Sequence, residues 1–509
     1  MKLTNRVVEG SYQGANPFKR ALMLSGIIGL LAFGVACGSS SSGSNPPITG
    51  KFTNASLQGQ YAYALTGQAY GLTSGNGPFR EDGSFTADGN GNITTGNDDF
   101  VSGTGPSTNP TNGTYALNND GTGIMVLNVA GGQINFAISM IDDTKIYMIE
   151  MDSFANSAGM AERQSSSSFT NPSGTYVYRM HSTSTSQGSV ARVGTLTMGG
   201  GAVTGNEDLL QGSTGSLSSL TLTGSASAPD LNGRGTASLT DSTGITNAYV
   251  YYVVDSNRIN FLESDAGPVG SGRGERQTTS SFSASSLNGG FAFGSRGDTL
   301  ANLAGANSVG AFTSNGGGTI SSGAYDTAQD GIIVANAALT GSYTMGANGR
   351  AVVTLNPSGS TPVQVIAWLL NSSRGFYLFN TTSRVEDGTF DQQSSNSFAN
   401  SSFSGQYAFF NDGYDAASPP LISRAGTIIP DGNGNISLND FAVNRMGSLN
   451  NAGFLTGTYS TSSNGRVAGP VNGLTNAMVI YMVSSSQGYM LLGDPGAEVA
   501  GQVALQTSP

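Results

Sequence analysis

The stretch EDGSFTADGNGNITTGNDDF, residues 81–100, alternates apolar and polar side chains on both sides of a glycine-rich turn. This alternation predicts two half-buried strands, and the glycines of DGNGN suit the positive φ angles that a tight hairpin turn requires. Related hairpins begin at Leu196, Phe312 and Ile428. The sequence therefore predicts four copies of one hairpin, separated by the length of a small domain.

The hairpins belong to longer repeats. Each repeat opens on a Gly-x-aromatic motif, whose aromatic residues are Tyr61, Tyr176, Phe291 and Tyr407. Each repeat closes on a glutamine, and these are Gln164, Gln277, Gln393 and Gln506. Successive openings lie 115, 115 and 116 residues apart. A period this long indicates repetition of a whole domain rather than of a solenoid repeat.

Each repeat contains about eight short alternating runs joined by turn residues, and none keeps a helical period. The predicted fold class is therefore all-β, with four tandem units that each form a small eight-stranded antiparallel up-and-down barrel, because closure removes exposed strand edges. The alternative is a β-propeller in which each unit supplies two blades. The predicted units cover residues 54–169, 170–283, 284–399 and 400–509, like four barrels on a string.

Composition excludes one class of partner. The chain of 509 residues has a formal charge of −11, and only 10% of its residues are charged. An acidic surface repels nucleic-acid phosphates, so we expect no nucleic-acid partner. The apolar fraction of 37% falls in short alternating runs, which favours folded units over disorder despite 74 glycines.

The N-terminal segment predicts export. An apolar run, ALMLSGIIGLLAFGVA (21–36), follows Lys19 and Arg20 and is too short to span a bilayer, so residues 1–36 are predicted to be a signal peptide. Cys37 follows it directly and is the only cysteine of the chain. The Ser/Gly-rich residues 37–53 suit a flexible tether.

This segment resembles the lipobox of bacterial lipoproteins, with Val35, Ala36 and Cys37 in the family positions, although Gly34 replaces the usual leucine. The resemblance implies lipidation of Cys37 and a membrane partner through that lipid anchor. Gly38 resembles the residue of outer-membrane lipoproteins at the sorting position. The expected location is the outer membrane, facing the periplasm or the cell surface.

Two turns are candidate calcium sites, because alternate side-chain oxygens can surround a hard cation. The candidate ligands are Asp88, Asn90, Asn92, Asp431, Asn433 and Asn435. However, Ile93 and Ile436 occupy the position where a calcium loop of the EF-hand type needs glycine. The four units retain the turn glycines rather than the carboxylates, so the sequence favours hairpin turns and predicts no metal site.

Catalytic candidates are few. His181 is the only histidine, and the sequence places no suitable acid beside it. The carboxylate pairs Glu150/Asp152 and Glu263/Asp265 could share acid and base roles, but we expect them to pair with Arg163 and Arg276. The sequence therefore predicts no catalytic residue, no cofactor and no enzyme.

Aromatic residues of the predicted sixth strands are candidates for lining a ligand pocket, namely Tyr249, Tyr251 and Trp368. Aromatic side chains also serve as ordinary filling of small barrels, which have room for at most one small ligand. Both interpretations stay open at the level of sequence.

Together, the signal, the lipobox-like cysteine, the tether and the repeats resemble tandem-repeat β-rich bacterial lipoproteins of acidobacterial type. Each unit also has a generic likeness to lipocalin-like and avidin-like barrels. Neither resemblance implies a particular activity. The expected function is a structural or adhesive role in the cell envelope. The alternative is binding of small apolar ligands or glycans inside or at the rim of the barrels, and an envelope protein is a further candidate partner.

Overall fold

The computed structural model describes residues 52–70, 77–130, 132–184, 188–300, 305–329, 331–414, 421–450, 453–474, 478–494 and 497–507. The predicted signal peptide and Cys37 lie outside these residues, as does the predicted tether up to residue 51. No helix within the described ranges is both long enough and apolar enough to cross a membrane.

The first unit is a closed antiparallel barrel in which each strand pairs with the next along the chain. The last strand pairs with the first, from Tyr61 opposite Arg163 to Ala69 opposite Ala155. The strands are β1 (Gln58–Ala69), β2 (Gly77–Asp88), β3 (Asn92–Ser102), β4 (Gly105–Leu117), β5 (Thr122–Val129), β6 (Gly132–Met140), β7 (Lys145–Glu150) and β8 (Ala155–Arg163).

The second unit repeats this closed barrel, with its last strand again paired to its first. The strands are β9 (Gly174–Ser184), β10 (Gly188–Gly199), β11 (Ala202–Gln211), β12 (Ser216–Ala226), β13 (Arg234–Asp241), β14 (Thr246–Asp255), β15 (Arg258–Glu263) and β16 (Val269–Arg276).

The third unit is also a closed barrel, through pairing of its first and last strands. The strands are β17 (Asn288–Thr299), β18 (Ala306–Asn315), β19 (Thr319–Gln329), β20 (Ile332–Met345), β21 (Arg350–Pro357), β22 (Val363–Asn371), β23 (Arg374–Asn380) and β24 (Arg384–Gln392). These three barrels confirm the all-β class and favour barrels over the propeller alternative.

The fourth unit keeps the same order but forms a ten-stranded sheet rather than a continuous barrel. The segment that is one long fourth strand elsewhere is divided here, and an isolated bridge between Gly457 and Val471 stands where the fourth and fifth strands pair in the other units. The strands are β25 (Tyr407–Tyr414), β26 (Leu421–Pro430), β27 (Asn435–Arg445), β28 (Ser448–Asn450), β29 (Gly453–Thr458), β30 (Ser460–Thr461), β31 (Arg466–Gly469), β32 (Met478–Ser484), β33 (Gln487–Asp494) and β34 (Ala497–Leu505).

A short 3-10 helix precedes the first strand of every unit, and a tyrosine holds it in three of them. The helices are Asn54–Ser56, Ser166–Ser168, Ala284–Ser286 and Asn400–Ser402. The Tyr115 hydroxyl lies 2.9 Å from the carbonyl of Asn54 and 2.7 Å from that of Leu57. Tyr343 and Tyr459 make the same contacts. These are the tyrosines of the Gly-Thr/Ser-Tyr motif, which the second unit replaces with Ala226.

The units pack against one another in a closed ring instead of standing apart along the chain. An apolar cluster joins each unit to the next, as Ala62 and Val101 of the first join Val250 and Val254 of the second. Further clusters join units two and three and units three and four, and another joins unit four back to unit one. Strands at these contacts are buried on both faces, since Tyr61 and Tyr63 fill the barrel while Ala62 packs between barrels.

The closing glutamines bond one unit to the next. The Gln164 amide lies 3.0 and 2.7 Å from the carbonyls of Asn232 and Val253 in unit two. Gln277 and Gln393 contact units three and four in the same way. Gln506 donates to the carbonyls of Asp120 and Met140, at 3.0 and 2.6 Å, so the last unit returns to the first.

Ion pairs between buried aspartates and partly buried arginines reinforce three of the four interfaces. Asp326 of unit three accepts from Arg466 Nε and Nη2 of unit four at 2.8 and 2.6 Å, and from the Tyr481 hydroxyl at 2.8 Å. The equivalent clusters are Asp99 with Arg234 and Tyr252, and Asp208 with Arg350 and Trp368.

The interface between units four and one has neutral residues at the three equivalent positions. Ala442 stands in place of the aspartate, opposite Ala425. Thr122 and Ser139, which are register partners, stand in place of the arginine and the aromatic residue. We call this interface the seam.

Asp326→Ala should lower the free energy of unfolding by about 3–5 kcal/mol, because it leaves the buried Tyr481 hydroxyl and the partly buried Arg466 guanidinium without their acceptor. Urea unfolding followed by circular dichroism measures the change. The matched control is Asp143→Ala, whose partner Arg163 is 44% exposed and which should cost no more than about 1 kcal/mol. Equal losses in the two variants would contradict a stabilising role for the buried cluster.

Candidate functional site

The candidate calcium ligands form hydrogen-bonded hairpin turns. Asp88 Oδ1 accepts from the main-chain amides of Asn90 and Asn92 at 2.7 and 3.0 Å, and Oδ2 accepts from Asn92 Nδ2 at 2.8 Å. These bonds, led by that of the Asn92 side chain, hold the pKa of Asp88 below its usual range. Asp431, Asn433 and Asn435 repeat the arrangement.

The third unit makes the same turn with an amide. Asn315 Oδ1 accepts from the main-chain amides of Gly317 and Thr319, at 2.8 and 3.1 Å. A carboxylate is therefore not required for the turn. Among the described residues, no group of three or more His, Cys, Asp or Glu side chains is arranged to hold a metal ion.

The candidate aromatic residues divide between two environments. Tyr249 and Tyr251 belong to the core inside the second barrel, and the Tyr251 hydroxyl donates to the carbonyl of Ser227 at 2.5 Å. Trp368 lies outside the third barrel, in the interface with unit two, where its Nε1 donates to Asp208 at 2.8 Å. The three side chains do not line one pocket.

The expected partners of the acidic pairs differ in the structure. Arg163 bonds Asp143 at 3.1 Å, on the surface. Glu263 accepts from Ser182 at 2.7 Å and lies 3.7 Å from the buried Arg192. The prediction that Arg163 and Arg276 neutralise these pairs is therefore wrong for Arg163 and Glu263, because the arginines lie at the ends of their strands while Glu263 faces the barrel interior.

His181 lies in a cluster that sequence reasoning missed. Its Nδ1 is 2.8 Å from Asp387 Oδ1 of unit three, and its Nε2 is 2.8 Å from Ser189 Oγ and 3.2 Å from Asp298 Oδ2. A serine, a histidine and an aspartate connected in this order are the elements of a nucleophilic triad.

Two features oppose a nucleophilic role for this cluster. Ser189 is fully buried, and its hydroxyl donates to Asp298 at 2.5 Å rather than to the imidazole. Burial opposes the charged imidazolium, but hydrogen bonds and charges from Asp298 and Asp387 outweigh it and raise the pKa of His181 to about 9. A histidine that is already protonated at neutral pH cannot accept the serine proton.

A central cavity of about 390 Å³ lies where the four units meet, and every unit contributes to its wall. The first strand of each unit supplies side chains at one equivalent position, which are Thr66, His181, Arg296 and Asp412. Because the ring brings four different residues to one place, the cavity wall is asymmetric although the scaffold is repeated.

The cavity concentrates positive charge in an acidic chain. Seven of the 21 lysines and arginines line it, namely Arg80, Lys145, Arg179, Arg258, Arg273, Arg296 and Arg374. Five carboxylates line it as well, namely Glu162, Glu275, Asp298, Asp387 and Asp412. With His181 protonated, the wall carries eight positive groups against five negative ones, an excess of three.

One part of the wall, the carboxylate–arginine tier, consists of paired groups. Glu162 contacts both Arg258 and Arg273, and Glu275 accepts from Arg374 at 2.8 Å. Burial raises the pKa of Glu162, but the charges of Arg273 and Arg258 outweigh it and leave that pKa at about 2. These pairs cross from unit one to two and from two to three, so they also hold the ring together.

The other part is the histidine tier, whose members are His181, Arg80, Arg179, Arg296, Asp298, Asp387 and Asp412. Arg179 bonds Asp387 at 2.8 Å and Arg296 contacts Asp412. Tyr414 of unit four donates to Asp298 at 2.6 Å. Sequence reasoning missed the charged residues of both tiers. One signal was present in the sequence, because Lys145, Arg258 and Arg374 recur at one position of the seventh strand and so place a cation at the same point of three units.

The interior of the third barrel offers less room than the central cavity. Inside the third barrel, an apolar space of about 50 Å³ remains between side chains such as Phe293, Phe312 and Leu339. Comparison of the chain with protein-family models and with curated protein sequences finds no match.

His181→Asn should remove a pH-dependent part of the stability. Because the folded pKa is raised from 6.5 to about 9, the contribution is complete below pH 6.5, is lost as the pH rises to 9, and amounts to on the order of 3 kcal/mol. Thermal unfolding of both proteins should therefore show their largest difference at pH 6 and a smaller one at pH 9. His181 is the only histidine of the chain, so no other imidazole contributes to the pH dependence of this difference. A difference that stays constant over this range would exclude a charged His181.

Proposed function

We propose that this chain is a lipid-anchored binding protein of the cell envelope that holds a small polar solute in its central cavity. The observation that carries the proposal is the contrast in space and chemistry between the two kinds of cavity. The central cavity has a volume of about 390 Å³ and a polar, charged wall, whereas the space in the third barrel is about 50 Å³ and apolar. Ligand sites commonly fall between roughly 300 and 1,000 Å³.

The position of the cavity also supports binding. It lies between domains, where ligand sites are frequent, and its wall combines arginine, glutamine, threonine and tyrosine side chains. Gln68, Gln487 and Gln502 line it without side-chain hydrogen bonds to other described residues. These amide groups would be able to bond a solute. The alternative function drawn from the sequence placed a small ligand inside or at the rim of a barrel. The proposed site is instead the central cavity between the four units.

A structural role in the envelope is the second candidate. Its support is the closure of the ring by Gln506, which makes one compact body from four repeats. Such a body is suited to an architectural role whether or not the cavity is filled. The two candidates share the anchor, which is proposed from the lipobox-like segment alone.

Thr66→Trp should abolish retention of a solute, because an indole at this position fills the axis of the cavity. The measurement is native mass spectrometry of the protein purified from envelope extract, which detects a bound small molecule as an added mass. Thr94→Trp, at an exposed position of the same barrel, is the matched control and should retain the added mass. An added mass that survives Thr66→Trp would place the ligand elsewhere, and absence of any added mass in the unmodified protein would favour the structural role.

Cys37→Ala should separate the protein from the membrane, since the lipobox-like segment makes this residue the expected site of acylation. Metabolic labelling with an alkyne fatty acid, followed by fractionation of membranes, tests both consequences. The variant should lose label and enter the soluble fraction. Retention of label and membrane association by the variant would overturn the anchor.

A further inference from the structure

Arg80 differs from the other cations of the histidine tier. It lines the central cavity from strand β2, and only 6% of its surface is exposed. Its guanidinium donates through Nη1 to the carbonyl of Phe79 at 2.9 Å. Within the described ranges, no carboxylate oxygen lies within 4.0 Å of Arg80.

The nearest carboxylates are already engaged. Asp387 accepts from Arg179 at 2.8 Å and contacts His181 at 2.8 Å. Asp298 accepts from Ser189 and Tyr414 at 2.5 and 2.6 Å and also contacts His181. Their charges reach Arg80, but their lone pairs are shared with other donors.

Asp82 lies two residues from Arg80 on the same face of β2 and attracts its charge, but forms no ion pair with it within 4.0 Å. Asp82 is fully buried, and burial together with the charge of Asp99 raises its pKa well above the usual range, against the lowering by Arg80, which favours the neutral acid. The equivalent residues of the other units are Val193, Val309 and Ala425, so this position belongs to the apolar interface. Arg80 therefore carries a buried charge beside the cavity that no carboxylate contacts directly.

A buried charge without a partner is costly, and the cost is visible as a lowering of the Arg80 pKa by burial. An incoming anion would remove this cost. A guanidinium presents a planar set of donors that matches two oxygens of a carboxylate, phosphate or sulfate group. Arg179 and Arg296 carry further positive charge close by.

We propose that the histidine tier of the cavity binds an oxyanion, which is a carboxylate, phosphate or sulfate group of a small solute, with Arg80 as its principal ligand. The inference rests on the proposed function and specifies the chemical class of the solute. The histidine tier has four positive groups, Arg80, Arg179, Arg296 and protonated His181, and three carboxylates, Asp298, Asp387 and Asp412. One negative charge on the solute therefore neutralises it.

Isothermal titration calorimetry at pH 7 and constant ionic strength tests this assignment, with sodium acetate, inorganic phosphate and sulfate as probes and chloride as the background salt. The protein should bind at least one probe with a stoichiometry of one, and Arg80→Met should weaken that binding at least tenfold. Arg163→Met is the matched control, because Arg163 lies on the surface outside the cavity and its loss should leave binding unchanged.

Thermal unfolding supplies a second readout, which a structural role of Arg80 would not produce. Without the probe anions, Arg80→Met should melt at a higher temperature than the unmodified protein, because it removes a buried charge that no carboxylate contacts directly. With the anion that binds, only the unmodified protein and the Arg163→Met control should gain stability. If Arg80→Met does not fold, Arg80→Gln serves in both measurements.

The outcomes separate this inference from the function on which it rests. A retained solute that is lost in Thr66→Trp, combined with no binding of any of the three anions, would leave the proposed function intact and overturn the anion assignment. Anion binding that is equally strong in Arg80→Met would overturn the assignment too. No retained solute and no anion binding would remove both.

Discussion

The bond from each closing glutamine to the next unit is the interaction on which the rest of the structure depends. Each glutamine amide donates to two main-chain carbonyls, so the bond does not require a particular side chain in the acceptor unit. The acceptors lie at the turn before the fifth strand and near the end of the sixth. Since Gln506 returns to the first unit, the four repeats close into a ring, and the central cavity exists only because of that closure.

The side chains around these bonds differ among the interfaces in a concerted way. An aspartate, an arginine and an aromatic donor occur together at three interfaces, and at the seam all three are replaced by Ala442, Thr122 and Ser139. Loss of one member alone would bury an unpaired charge, which is more costly than loss of the whole set. The seam instead combines apolar packing, with Tyr147 and Phe410 in contact across it, and hydrogen bonds of uncharged groups, such as that from Ser139 to the carbonyl of Gly426 at 2.9 Å.

Sequence differences among the four repeats are compatible with a binding site, because the ring brings equivalent positions of all four units together. Comparison of the four copies argues against a site repeated in each unit, because candidate residues vary while turn residues stay. The cavity is a single site assembled from all four units. Different residues at equivalent positions of the units therefore give its wall different chemical groups. Thr66, His181, Arg296 and Asp412 occupy one equivalent position and give the wall four different groups. His181 shows the consequence, because its partners Asp298 and Asp387 lie more than a hundred residues further along the chain.

The sequence by itself determined the local structure. Alternating side chains, turn glycines and the repeated Gly-x-aromatic and glutamine motifs predicted the all-β class, the number of units and the barrels, because these depend on contacts between neighbouring strands. It also pointed to the turn role of Asp88, whose partners are two and four residues away. Only the tertiary structure decided how the units pack and where Arg80, His181 and Trp368 point. An outward-facing position on a strand has the same pattern whether it meets solvent, another barrel or a cavity, and the ring alone distinguishes the three.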